Sequence, residues 1–427
     1  MDVNAETTPP REPPHRPPVR GRRLWLFRLV ALGMGLLFGL VAVETAVRIV
    51  MAARPNDIEA LRRFEQRKQS GETLLLRDLV RISRNPRLIY EFVPGIEGEF
   101  KGVPVRINSA GFRDPERGTR KPANTWRMAA LGDSILFGWG VPEETRFTNL
   151  LEKFLNETGD GTRFEVLNFG VPGYNTVTEE ELLRSIAAPY APDAVLLSFC
   201  LENDHTLPNF VAKPRPLMTL RHSFALELAR SRSTSRVRGA LRPELEGVRK
   251  DHVPDEYRHM VGADNCLAAL ARMGGFAGAK RWPALFVLDY WLFDPWLPPN
   301  TRPLDEDPGT TVTRAATAAG FVEVSTLAHT VDYLKSHGLG MRSLWITDED
   351  AHPNPVRHAL VAREIYREMV QRGILPDSAA RRGALADHLA RWDEIVAVAA
   401  SHTVLPPRSA EIGTESLDYD ELWGGPR

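Results

Sequence analysis

From Trp126 to about Arg372, short apolar runs alternate with amphipathic stretches, and their spacing separates strands from helices. WRMAALGDS (126–134) is an apolar run closing in a tight turn, and FTNLLEKFLNE (147–157) has helical periodicity. FEVLNFGVPGY (164–174) reads as a strand entering a glycine turn, TVTEEELLRSIAA (176–188) as a helix and DAVLLSFC (193–200) as a buried strand. There follow a helix near 260–273, a strand PALFVLDY (283–290), and helices near 309–319 and 326–336. A last helix runs from Pro355 to about Arg372. Asn354 is placed to cap its start with Pro355 in the first turn, and Gly373 and Pro376 mark its end. Strands alternating with helices predict an α/β fold, with a mostly parallel sheet covered on both faces. Ligand sites in such sheets lie at the carboxyl ends of the strands.

The pattern differs outside this region. Residues 1–23 hold six prolines and five arginines (Arg11, Arg16, Arg20, Arg22 and Arg23), a composition expected to stay disordered. Leu29 to Val43 is 15 residues without a charged or strongly polar side chain, within an apolar span from Leu24 to Val50. That is the length of one transmembrane helix. A cleaved signal peptide would have a shorter apolar stretch and a small-residue exit, whereas this chain has Glu44-Thr45-Ala46. The reading is a single-pass signal anchor (24–50). Its arginine-rich leader lies in the cytoplasm and the rest outside it, in the periplasm if the host has an outer membrane. Gly35 and Gly39 form a G-x-x-x-G pair that would let two such helices approach closely.

Residues 51–125 read as a separate juxtamembrane piece: a short amphipathic helix over 56–68, then short strands and turns over 88–113. The main domain is expected over 126–375. Between 205 and 258 the alternation stops, and ten Lys/Arg face three Glu before Asp251, which reads as an inserted cap. Residues 376–427 read as a C-terminal helix and an acidic tail.

A formal net charge of −1 argues against a nucleic-acid binder. Two cysteines, Cys200 and Cys266, exclude a disulfide scaffold or a Cys-only zinc site, and buried free thiols are the simpler expectation. No H-E-x-x-H, Walker loop or dinucleotide fingerprint is placed for a metal or cofactor, so none is expected.

Four short pieces carry candidate chemistry. Gly132-Asp133-Ser134 closes the first strand and opens a helix, exposing a hydroxyl near free backbone N–H groups. Asn168-Phe-Gly170-Val-Pro-Gly173 follows the second strand, where a glycine lets backbone N–H approach a substrate oxygen. Glu202-Asn203-Asp204 follows the third, with a side-chain amide able to donate to an oxyanion. Asp348-Glu349-Asp350-Ala351-His352-Pro353-Asn354 precedes the last helix, a histidine beside carboxylates that suits a general base. Each is an ordinary turn on its own. Their order, each at a strand-to-helix edge, is what points to a site. Tyr290, Trp291, Phe293 and Trp296 could stack on sugar rings, or simply pack under a proline-rich loop.

These blocks resemble those of the SGNH (GDSL) hydrolase family, over roughly residues 126–373. The anchor followed by VRINSAGFRDPE (105–116) is similar to its anchored, extracytoplasmic members. The resemblance implies a flavodoxin-like three-layer α/β/α fold, preceded here by one transmembrane helix. It implies Ser134 as nucleophile, His352 as base, and the Ser134 N–H, Gly173 N–H and Asn203 side chain as oxyanion donors. Leu201 stands where the family's third block usually has glycine, and the acid usually stands three residues before the histidine, at Glu349. Asp350 has the D-x-H spacing of alginate-type acetyltransferase relatives and is preferred here, with Glu349 the alternative. The expected function is hydrolysis of carbohydrate or lipid acyl or acetyl esters through a covalent acyl-enzyme. The alternatives are an O-acyltransferase acting on an envelope polysaccharide and a non-catalytic polysaccharide-binding or assembly module.

Overall fold

The computed structural model describes residues 21–52, 57–158, 161–212, 223, 245–247, 253–289, 308–347 and 350–402. It divides into two compact units, Met1–Arg54 with Pro214–Pro243, and Pro55–Lys213 with Glu244–Arg427.

In the first unit, α1 (Gly21–Ala52) contains the apolar span, and its stretch Arg23–Ile49 is long and apolar enough to cross a membrane. Residues 1–20, most of the expected disordered leader, lie outside the described residues.

In the second unit, α2 (Asp57–Ser70) and α3 (Leu76–Leu79) lead into two short antiparallel pairs. These are β1 (Val80–Ile82) with β2 (Tyr90–Phe92), and β3 (Glu97–Phe100) with β4 (Val103–Arg106). The α/β layer follows. Its elements are β5 (Thr125–Gly132), α4 (Ser134–Phe137), α5 (Phe147–Glu157), β6 (Arg163–Gly170), α6 (Thr176–Leu182) and β7 (Ala194–Cys200). After them come β8 (Phe210–Ala212), β9 (Leu245–Gly247), α7 (Ala263–Lys280), β10 (Ala284–Asp289), α8 (Pro308–Ala318), β11 (Phe321–Val324) and α9 (Leu327–His337). The ribbon β12 (Trp345–Thr347) and β13 (Asp350–Pro353) leads into α10 (Pro355–Gln371), α11 (Ser378–Gly383) and α12 (Leu385–His402).

Among the described residues the main sheet has five strands in the order β6-β5-β7-β10-β11, and every neighbouring pair is parallel. Numbered by chain position, this is the flavodoxin-like order 2-1-3-4-5. The switch point, where successive connections leave in opposite directions, lies between β5 and β7. β5 and β7 are buried along their whole length, as expected of strands covered on both faces.

The predicted strands and helices of this layer correspond to observed elements. β11 was not anticipated, because FVEV is four residues long and lies at a sheet edge. Residues 55–125 belong to the same compact unit as the α/β layer. Hairpins with strands of three and four residues cannot bury their own apolar faces. Instead Phe92 lies on Phe137 (centroids 5.2 Å apart) and Phe112 meets Phe169 edge-on (4.9 Å). The expected 205–258 cap contains the antiparallel β8–β9 pair, and most of the rest of it lies outside the described residues. The acidic tail and the aromatic group Tyr290, Trp291, Phe293 and Trp296 also lie outside them.

Candidate active site

The register of the sheet brings the first three blocks to one level. Gly132 at the end of β5 pairs with Gly170 on β6 and with Ser198 on β7. α4 begins two residues after Gly132, and the Asp133 side chain caps it by accepting from Ile135 N–H at 2.9 Å. This helix lies directly on the end of β6. A Cβ at Gly170 would stand 2.4 Å from the backbone nitrogen of Phe137, so only glycine permits the approach. Asn168 completes the seam by donating to Leu136 O at 2.6 Å. The far end of α4 is held by Arg113, whose guanidinium donates to the carbonyls of Gly138 (2.5 Å), Pro104 (3.1 Å) and Val141 (2.8 Å). The conspicuous GFRD stretch therefore buttresses the helix that carries Ser134.

Ser134 at the start of α4 and His352 on β13 are both nearly buried. His352 Nε2 lies 2.9 Å from Ser134 Oγ, and its Nδ1 lies 2.5 Å from Asp350 Oδ1. Asp350 Oδ1 also accepts from the His352 backbone N–H at 3.2 Å, while Oδ2 accepts from the Trp139 indole N–H at 3.0 Å. Burial pushes the Asp350 carboxyl pKa up. The neighbouring His352, its hydrogen bonds and the Lys101 ammonium outweigh burial, so the group stays well below the usual carboxylate range. Asp348 and Glu349, the other carboxylates of this block, lie outside the described residues. The histidine block stands on a two-stranded ribbon where the sequence suggested a plain turn.

The donors expected to face an oxyanion differ among themselves. Among the described residues, the backbone N–H groups of Ser134 and Gly173 have no acceptor. Gly173 has φ +78°, and a Cβ there would stand 2.2 Å from the Asn209 side chain. Tyr90, from the hairpin before the main sheet, fixes this turn by donating its hydroxyl to Pro172 O at 2.7 Å. The Asn203 amide is engaged by the protein itself, donating to Asp133 Oδ2 at 2.8 Å and to Tyr174 O at 3.1 Å. In this structure it bridges the first and second blocks. The sequence alone offers no sign of that bridge.

A carboxyl pair lies behind this loop. Asp204 accepts from Thr176 Oγ1 at 2.8 Å and from Cys200 N–H, whereas neither oxygen of Glu179 has a donor among the described residues. Both groups are fully buried, and burial followed by mutual repulsion and the nearby Asp133 raises Glu179 well above its ordinary range. Two buried carboxyls in contact keep one proton between them. Because Asp204 receives the donors, the proton resides on Glu179 and points to Asp204. The folded chain thus holds a proton that the unfolded chain releases above about pH 4.3, so this site loses stability as pH rises. Glu179→Gln, a permanently neutral donor, is expected to remove part of that loss. Thermal unfolding of both proteins at pH 5, 7 and 8.5 checks this: the wild type should fall behind the variant progressively, and a pH-independent difference contradicts it.

Cys200 and Cys266 are both buried free thiols, as expected. Asp289 accepts from Ser198 Oγ at 2.8 Å, and its pKa is raised to about 6 by burial, against the opposing pull of Arg357.

A family model for the GDSL-like lipase/acylhydrolase family matches residues 130–360, more than half of the chain. The chain belongs to the GDSL-like lipase/acylhydrolase family. It is an esterase of the SGNH type, acting on ester bonds. Among solved structures, TesA is 16% identical, with a TM-score of 0.36, covering 58% of this chain and 99% of its own. The acetylxylan esterase Axe2 from Geobacillus stearothermophilus is 15% identical, with a TM-score of 0.37, covering 57% of this chain and 94% of its own. The comparison with curated proteins gives no match. The family match begins at Ala130, so Tyr90, Lys101 and Arg113 all lie before it. Of the residues around the family's blocks, Trp139 and Lys101 are the ones sequence reasoning missed. The only local signal was an aromatic residue following the glycine that closes α4.

Proposed function

We propose that the protein is a membrane-anchored serine esterase that works outside the cytoplasm through a covalent acyl-enzyme. The observation that carries this reading is the unbroken line from Ser134 Oγ through His352 to Asp350, at 2.9 Å and 2.5 Å, at the carboxyl edge of the sheet. Ser134 Oγ forms a bond to the ester carbonyl carbon as His352 Nε2 takes its proton. The carbonyl electron pair moves onto oxygen, where the Ser134 and Gly173 N–H groups are placed to receive it. Asn203 contributes if one of its amide protons turns from Asp133 or Tyr174. Asp350 holds the imidazole in one tautomer and stabilises the imidazolium. Collapse breaks the bond to the alcohol oxygen, which leaves with the proton from Nε2. Water then attacks the acyl carbon as His352 Nε2 takes its proton, and collapse breaks the bond to Ser134 Oγ, which receives that proton from Nε2 as the carboxylic acid leaves.

The anchor reading rests on the arginine-rich leader before an apolar helix. A reporter active only outside the cytoplasm, fused after Arg427, should work, and activity of a cytoplasmic reporter there contradicts the orientation. The acyl-enzyme has its own test. Two acetate esters with different leaving groups, hydrolysed in the presence of methanol, should give the same ratio of methyl acetate to acetic acid, because both pass through one intermediate. A ratio that depends on the leaving group overturns it.

A further inference from the structure

The turn of the β3–β4 hairpin, Lys101-Gly102, lies outside the family match yet reaches the histidine block. Both residues adopt left-handed backbone, with φ +52° at Lys101 and +77° at Gly102. A lysine rarely takes that conformation, so the surrounding structure holds it there. Its ammonium stands 5.1 Å from the centre of the Trp139 ring, a cation–π distance. The preceding residue, Phe100, meets the same indole edge-on with centroids 4.8 Å apart. Trp139 in turn makes two contacts with the proposed machinery. Its ring stacks on the His352 imidazole, with centroids 5.0 Å apart and planes 16° apart. Its N–H occupies Asp350 Oδ2, leaving Oδ1 to His352. The indole thus fixes both the acid and the ring that the acid orients, while the hairpin holds the indole. The packing leaves little slack on this side, since a Cβ at Gly140 would stand 2.7 Å from Ile346 Cδ1 on β12.

We propose that Trp139 is a positioning residue for the Asp350–His352 pair, and that the β3–β4 hairpin, through Lys101 and Phe100, holds Trp139 in that role. The proposal rests on the reading of Ser134, His352 and Asp350 given above. It gives the hairpin, which lies outside the matched region, an indirect part in the reaction, through Trp139. The effect of Trp139 passes through Asp350 and His352, so it should change kcat and leave KM alone.

The test is a double-mutant cycle on aryl acetate hydrolysis, with Trp139→Phe as the first variant because it keeps a ring for stacking and removes only the N–H. A hydrogen bond to a charged group is lost, so kcat should fall by roughly 10-fold at unchanged KM. In an Asp350→Asn background the same substitution should cost almost nothing further, because the side chain that the indole holds no longer accepts from His352 Nδ1. Lys101→Met should lower kcat by a smaller factor, and Lys101→Arg should restore it; adding Lys101→Met to Trp139→Phe should give less than the product of the two losses. Circular dichroism of each variant separates unfolding from a kinetic effect. If Trp139→Phe keeps full activity beside a crippled Asp350→Asn, the positioning role is overturned alone. The same holds if its loss multiplies undiminished onto Asp350→Asn. If Asp350→Asn is itself fully active, the reading of the site fails and the positioning role fails with it.

Discussion

Asp350→Asn is expected to lower kcat by about 10⁴, the scale of loss when the corresponding acid is amidated in serine proteases. The reason is geometric. Asp350 Oδ1 faces His352 Nδ1 at 2.5 Å and can accept a hydrogen bond from its N–H, which leaves Nε2 free to take the proton of Ser134 at 2.9 Å. An asparagine can present an N–H to Nδ1 instead, shifting the ring proton to Nε2 and blocking the serine. Trp139 would still hold the side chain in place, so geometry is kept and chemistry lost. Glu349→Gln and Asp348→Asn are expected to cost less than about tenfold each, because His352 Nδ1 already has Asp350 Oδ1 as its partner. Steady-state kinetics on an aryl acetate, with folding checked by circular dichroism, makes the comparison. A crippled Glu349→Gln beside an active Asp350→Asn would restore the three-residue spacing common in the family. Three mild variants would mean that His352 works with Ser134 alone.

Asn203→Ala is expected to affect both rate and stability. Loss of one oxyanion donor typically lowers kcat by about 10²–10³. From the sequence, a strand-end amide should have little to do with the fold. The structure alters that expectation, because Asn203 bridges Asp133 Oδ2 and Tyr174 O, and all three residues are buried. Alanine removes a donor from a buried carboxylate, and such losses cost about 1–3 kcal/mol. The variant should therefore unfold at a lower temperature as well as turn over slowly. Wild-type turnover in a folded Asn203→Ala protein would remove the amide from the reaction. An unchanged melting temperature would remove the bridge from the stability of the fold.

The two variants mark where sequence reading works and where it stops. Ser134 and His352 are legible because strand-to-helix edges follow from hydrophobic periodicity, and short motifs stand at those edges. The mostly parallel sheet covered on both faces follows from the same alternation, whereas its flavodoxin-like character is what the family resemblance implies. What a side chain does across the fold is not written locally. Nothing around Asn203 announces Asp133, 70 positions away. Trp139 and Asp350 are 211 positions apart, and Lys101 sits in a hairpin whose local pattern suggests only short strands and turns. The same limit hides the packing of the 55–125 segment on the α/β layer: shared burial, such as Phe92 on Phe137, has no periodic signature. β11 escaped notice because four residues carry too little pattern, and the β12–β13 ribbon because D-E-D-A-H-P reads as a turn.

The central claim is that Ser134 is the nucleophile and that His352 and Asp350 activate it. Reaction of the full-length protein with a fluorophosphonate probe, followed by peptide mass spectrometry, tests it most directly. The account predicts a single adduct on Ser134, absent in Ser134→Ala and formed far more slowly in His352→Ala and Asp350→Asn. An adduct on another residue, or wild-type labelling rates in the His352 and Asp350 variants, would contradict it.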